Sequence, residues 1–179
     1  MGTRFYILLM LIGEAYMIFP KTYEASFISF NSNGTEYADF SKIRFLGRER
    51  MANGTLELKL DLDDKNFSVS GESFLDSTGS GEYKQLPFTI PKQPICQALE
   101  SNKIFFEASL KRGVNTDFPI DTNPCPVPKG IYYFKDVLAK TDNWPSIMPR
   151  GYFKAVAKLF KNDELVAALE IVVRITDLP

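Results

Sequence analysis

Two cysteines, three glycan-acceptor triplets and one crowded run of carboxylates are the residues of this chain whose types and spacing could do chemistry. Cys96 and Cys125 stand 29 residues apart. In an exported chain such an even pair closes a disulfide. A loop of that length would stabilise the fold by about 3–4 kcal/mol through chain entropy. In a reducing compartment the same two residues would be free buried thiols. Asn33-Gly34-Thr35, Asn53-Gly54-Thr55 and Asn66-Phe67-Ser68 each fit the Asn-x-Ser/Thr pattern, so Asn33, Asn53 and Asn66 are candidate glycosylation positions. Asp61, Asp63 and Asp64 could suggest calcium. Lys65 takes the place of a third ligand and no glycine follows, so the run reads as a solvated strand end and turn, and no metal ligands are assigned.

The chemistry that is missing narrows the field further. None of the 179 residues is histidine, which removes the commonest general base, triad member and metal ligand. Two cysteines alone do not make a structural zinc site. No serine sits in a Gly-x-Ser-x-Gly elbow and no glycine-rich phosphate loop occurs. We therefore expect no catalytic residues, no enzyme activity and no cofactor. The formal net charge is −1, so the chain has no basic field for nucleic acid.

The elements that position these residues are mostly strands. Arg4 before the apolar run Phe5–Gly13 reads as a secretory leader over residues 1–25, with cleavage between Ala15 and Ala25, followed by one domain over 26–179. Glu14 makes the run too short and too broken to span a membrane. The expected location is extracellular. Leu56, Leu58, Leu60 and Leu62 alternate with Glu57, Lys59, Asp61 and Asp63, the pattern of a half-buried antiparallel strand. The turn at residues 63–66 would let Phe67 and Val69 pair back against it. Tyr83–Ile90 reads as an edge strand broken by Pro87. In the last third, Phe153, Ala155, Ala157 and Leu159 share one face of a strand. After Asn162-Asp163, Leu165, Ala167, Leu169, Ile171, Val173 and Ile175 share a face of the next. Alanines on an inward face leave room beside them, which hints at a cavity. Residues 94–112 have helical spacing, opened by Pro94 and closed by Gly113, with a break at Ser101-Asn102. The fold class expected is all-β: an antiparallel β-sandwich with a short helical segment near residues 94–112.

Two proline- and glycine-rich turns carry a more specific signal. Cys125-Pro126-Val127-Pro128-Lys129-Gly130-Ile131-Tyr132-Tyr133, with Trp144-Pro145 and Pro149-Arg150-Gly151-Tyr152, resembles the insect CheB-type chemosensory proteins. These lie within the secreted, ganglioside-activator-like (ML-type) lipid-recognition group. The pattern extends over roughly residues 54–176, its specific part over about 125–160. The resemblance implies a cup-like, immunoglobulin-like sandwich holding a lipid between its sheets, with the helical loop near the mouth. It maps a bridge onto Cys96 and Cys125, and it implies a role in detecting contact pheromones or other apolar cues. The ganglioside activator carries several disulfides and this chain can form one, so sphingolipid specificity is not carried over.

Two functions are expected from these features. The first is a secreted carrier of an apolar small molecule or lipid, delivering it to a sensory receptor or ion channel. Its cavity would be lined by Phe105, Leu110, Phe153, Ala155, Ala157, Leu159, Leu169 and Ile171. The alternative is a secreted interaction protein with a filled core, modulating a channel or receptor through an aromatic surface at Tyr132, Tyr133 and Trp144.

Overall fold

The computed structural model describes residues 20–178. Residues 1–19 of the expected leader lie outside the described residues. In chain order the elements are β1 (Tyr23–Asn33), β2 (Ala38–Asp39), β3 (Arg44–Leu46), β4 (Met51–Leu58), β5 (Phe67–Asp76), β6 (Lys84–Gln85), β7 (Ile90–Pro94), α1 (Ile95–Asn102), a 3-10 turn at Lys103–Phe105, β8 (Gly130–Val137), β9 (Gly151–Lys161) and β10 (Glu164–Asp177).

Among the described residues ten strands form two antiparallel sheets. The larger runs β1-β10-β9-β5, with the short strands β6 and β7 both on the far edge of β5. The smaller has β4 at its centre, with β2 and β3 along one edge and β8 along the other. The sheets pack face to face through three apolar clusters. One gathers Leu56, Leu58, Leu62, Phe67, Ile95 and Val127. A second joins Tyr23, Met148, Val173 and Ile175. A third joins Ile43, Ala52 and Val137. Phe27 of β1 stacks on Phe45 of β3 at 4.8 Å, 8° from parallel, and closes one side of the sandwich. The expected sandwich with a short helix is what the chain forms.

The C-terminal hairpin follows its alternation. Asn162 and Asp163 both have positive φ, 48° and 70°, the two-residue turn whose twist matches that of the strands. Ala157 faces Leu169, Ala155 faces Ile171, and Phe153 faces Val173. Leu165 departs from the expected face. The register shifts between Leu165 and Ala167, and the extra residue turns Leu165 outward against Phe160, where it is 57% exposed.

Three other expectations change. β4 ends at Leu58, and Leu60 is exposed. Leu62 is buried instead by pairing with Val127, through mutual N–H···O bonds of 2.9 Å. The turn after it is not a hairpin. Both edges of β4 are already occupied, so residues 63–66 carry the chain across to the other sheet, where β5 pairs with β9 along its whole length. Tyr83–Ile90 is not one strand: Pro87 offers no N–H, and the segment splits into β6 and β7 at the sheet edge.

Candidate functional site: an apolar trough on the inner sheet

The register of β5, β9, β10 and β1 sets the inner face of the larger sheet in rows. One row reads Gly71, Ala157, Leu169, Ser32; the next reads Ser73, Ala155, Ile171, Phe30. Val69 and Leu159 bound these rows at one end, Leu75 and Phe153 at the other. Four of the smallest side chains therefore stand together on β5 and β9 between walls of large ones. Phe153, Ala155, Ala157, Leu159, Leu169 and Ile171 all remain half-buried, whereas the middle of a filled sandwich would shut water out. The inner face is therefore left partly open along β9 and β10, a shallow apolar trough whose β5 side is closed by Ile90 over Gly71 and by buried Ser73. Ile90 leans into its rim: a Cβ added at Gly71 would lie 3.1 Å from the Ile90 side chain.

The trough is chemically quiet. Ser73 is buried, and its hydroxyl is spent on the Phe88 carbonyl at 2.6 Å. Among the described residues no buried side-chain nitrogen or oxygen lacks a partner. A guest would meet apolar contact and no waiting donor or acceptor. A separate surface cleft of about 370 Å³ is lined by Glu107, Ala108, Lys111, Lys140, Asp142 and Asn143. It shares no residue with the trough, and its charged lining does not favour an apolar chain.

The helical segment flanks the trough, pinned at both ends. α1 packs on β5 and β7. At its start the Asp64 carboxylate accepts the Cys96 N–H at 2.7 Å, placing a negative charge at the helix N-terminus. There Cys96 is joined to Cys125, with Cα atoms 5.8 Å apart. Asp64 and the two sulfurs lie within 4.8 Å of one another, but sulfurs consumed in a disulfide are not thiolate ligands, so the donor set does not suit a metal. Ser101 and Asn102 bond back to the Gln97 and Ala98 carbonyls, a competition that ends α1 where the sequence expects the break. Beyond the 3-10 turn, the Trp144 indole N–H donates to the Phe105 carbonyl at 3.0 Å. Asn143 donates to Glu107 at 3.0 Å, and the Trp144 ring lies 6.5 Å from that of Phe153.

The eight residues proposed from sequence separate into three groups. The six on β9 and β10 share the inner face, through the pairings above. Leu110 packs beside the cluster of Ile43, Ala52 and Val137. Phe105 lies apart, 46% exposed on the 3-10 turn, and contributes its carbonyl to Trp144. Sequence reasoning missed Gly71 and Ser73. The alternation Val69, Gly71, Ser73, Leu75 carries the signal, but it becomes legible only when β5 is known to lie beside β9. The proposed aromatic surface is mostly internal. Tyr132 meets Phe118 edge-on at 5.1 Å and donates to the Pro128 carbonyl at 2.6 Å, and Trp144 packs beside Tyr23 and Met148. Tyr133 alone faces out, 39% exposed.

At the Gly151 end of the sheet, buried Asp76 organises the loop after β5. Its carboxylate accepts the N–H groups of Thr78, Gly79, Ser80 and Gly81 and the Thr78 hydroxyl. Burial works to raise its pKa, but the bonds from Gly81, Gly79 and Thr78 together hold it below the usual carboxylate range. Tyr23 is held above its ordinary pKa by burial, against the opposing charge of Arg150.

Residues 69–155, just under half of the chain, match the family described as "Protein of unknown function (DUF1091)". The matched stretch runs from β5 into β9 and contains both cysteines, α1 and β8. No curated protein matches the chain.

Proposed function

We propose that the chain is a secreted, non-enzymatic carrier that takes an apolar small molecule or lipid into the trough between its sheets and acts in contact chemosensation. The observation that carries this reading is the inner face of β9 and β10, where Phe153, Ala155, Ala157, Leu159, Leu169 and Ile171 stay half-buried between packed ends, while Ile90 covers Gly71 and Ser73 is buried beside them. The disulfide fits an oxidising, extracellular setting. The resemblance to ML-type lipid-recognition proteins fits as well, and the matched family covers most of β5 and reaches Phe153 and Ala155 of β9.

Binding would work by sequestration. Each methylene moved from water into the trough contributes about 0.8 kcal/mol, so a long chain is held without any polar anchor. Release to a receptor or channel would need the covering segment to yield, and the Trp144–Phe105 bond is the contact holding its far end. No residue of the trough donates or takes a proton in this scheme.

The test is uptake. Protein secreted from insect cells is examined by native mass spectrometry, then extracted with solvent and offered a panel of long-chain fluorescent probes. A co-purifying fatty acid, hydrocarbon or glycolipid, or saturable probe uptake, supports the carrier reading. An empty protein that takes up no probe would move the weight to the surface reading. That second reading has one supporting observation: Ile131 and Tyr133 are exposed side by side on the outer face of β8, at 62% and 39%.

A further inference from the structure

Two of the three acceptor asparagines, Asn33 and Asn66, occupy unlike positions. Asn33 ends β1, which among the described residues pairs only with β10, and its side chain is exposed. Its Oδ1 accepts the Ala168 N–H at 2.8 Å, which aims the amide nitrogen away from the sheet. Gly34 follows with φ +75°, and Thr35 is exposed in the turn, so the acceptor and its helper hydroxyl both lie outside the ladder. Asn66 is the opposite case. Its Nδ2 donates to both oxygens of Asp63, at 3.0 and 2.9 Å, and Asp63 also receives the N–H groups of Lys65 and Asn66. Phe67 is buried, and Ser68 is paired on both sides, with Phe160 and Pro94.

We infer that Asn33 carries an N-linked glycan and that Asn66 does not, because Asp63 holds the nitrogen that would have to react. Transfer joins C1 of the first sugar to Nδ2, expels the lipid pyrophosphate of the oligosaccharide donor, and releases one amide hydrogen as a proton. At Asn33 the bond to Ala168 uses the oxygen and survives. At Asn66 the same step removes one of the two hydrogens that Asp63 holds and places a sugar against its carboxylate. The clamp joins residues only three apart in sequence, so it forms locally and does not wait for the sandwich. Asp63 accepts these bonds as a carboxylate: the Asn66 backbone and side-chain bonds hold its pKa below the usual range. The inference rests on the reading that the chain enters the secretory route.

The experiment uses the full chain expressed in insect cells, with medium and cells collected separately. Glycans are removed with a glycan-releasing amidase in heavy-oxygen water, which marks each occupied asparagine as labelled aspartate, and peptides are read by mass spectrometry. The expected result is label at Asn33 in most chains and none at Asn66. Asp63→Ala should release the clamp and bring label to Asn66; because occupancy is read in cells as well as medium, this holds even for a variant that is retained. Unlabelled Asn33 in both fractions, label at Asn66 equal to that at Asn33, or a silent Asn66 in Asp63→Ala would overturn the inference. Arrival of the chain in the medium is scored separately and tests export itself.

Discussion

Ala157 is small where its neighbours Leu159 and Leu169 are large, and that difference is directly testable. Ala157→Phe should fill the trough, displacing about two methylenes of guest and weakening uptake of a long-chain probe roughly tenfold. The melting temperature should hold or rise, since the strand pairing is untouched. Loss of fold instead of loss of uptake would show the space to be already filled. Asp76 makes a second prediction. With its folded pKa depressed, the stability it gives is present above the ordinary carboxylate value of about 3.9 and is lost as pH falls through the folded value. Tyr23, raised by burial, gives the alkaline counterpart: its contribution holds below about pH 10 and is lost as pH rises through the folded value. With no histidine to titrate between them, thermal melts should be level from about pH 5 to 9 and fall on either side. Asp76→Asn, which turns an amide hydrogen toward N–H donors, should lower stability at neutral pH and flatten the acid limb.

The elements show which sequence signals carry structure. The β9–β10 hairpin was legible because its alternation, its turn residues and its pairing partner are all contiguous. The Val166 bulge was not: nothing in Leu165-Val166-Ala167 distinguishes a flipped leucine from an inward one until β9 is laid beside it. β4 and β5 failed as a hairpin for a similar reason. The turn chemistry of Asp63–Asn66 is real, but occupied edges on β4 decide where the chain goes next, and edge occupancy is a long-range fact. Half the trough was therefore visible in advance, from β9 and β10, and the β5 half was not. Two predictions belong here. Replacing both Cys96 and Cys125 by serine should cost about 3–4 kcal/mol in denaturant melts of the oxidised protein. Trp144→Ala removes a half-buried ring and the bond to Phe105, and should cost about 2 kcal/mol while raising the rate at which a bound probe exchanges. An unchanged exchange rate would remove the helical segment from any gating role.

Across the whole molecule, the amino-terminal residues act as a clasp. Lys21 donates to the Thr141 and Asp142 carbonyls, and Arg150 binds Thr22 and Asp177. Buried Tyr23 donates to the Pro145 carbonyl. On the proposed reading that residues 1–25 hold a secretory leader cleaved between Ala15 and Ala25, cleavage should fall upstream of Lys21, and amino-terminal sequencing of protein collected from the medium checks it; a chain beginning after Tyr23 would have lost the clasp. The pairing of Tyr23 with Asp177 has a temporal side too. β1 is the first described strand to be synthesised, and its sole partner among the described strands is β10, the last of them. It must stay unpaired until β10 has been made, so the larger sheet closes late, with the slow search that distant contacts impose. A chain cut short before β10 would leave the edge of β9 bare and β1 without a partner, and should aggregate where the complete chain folds.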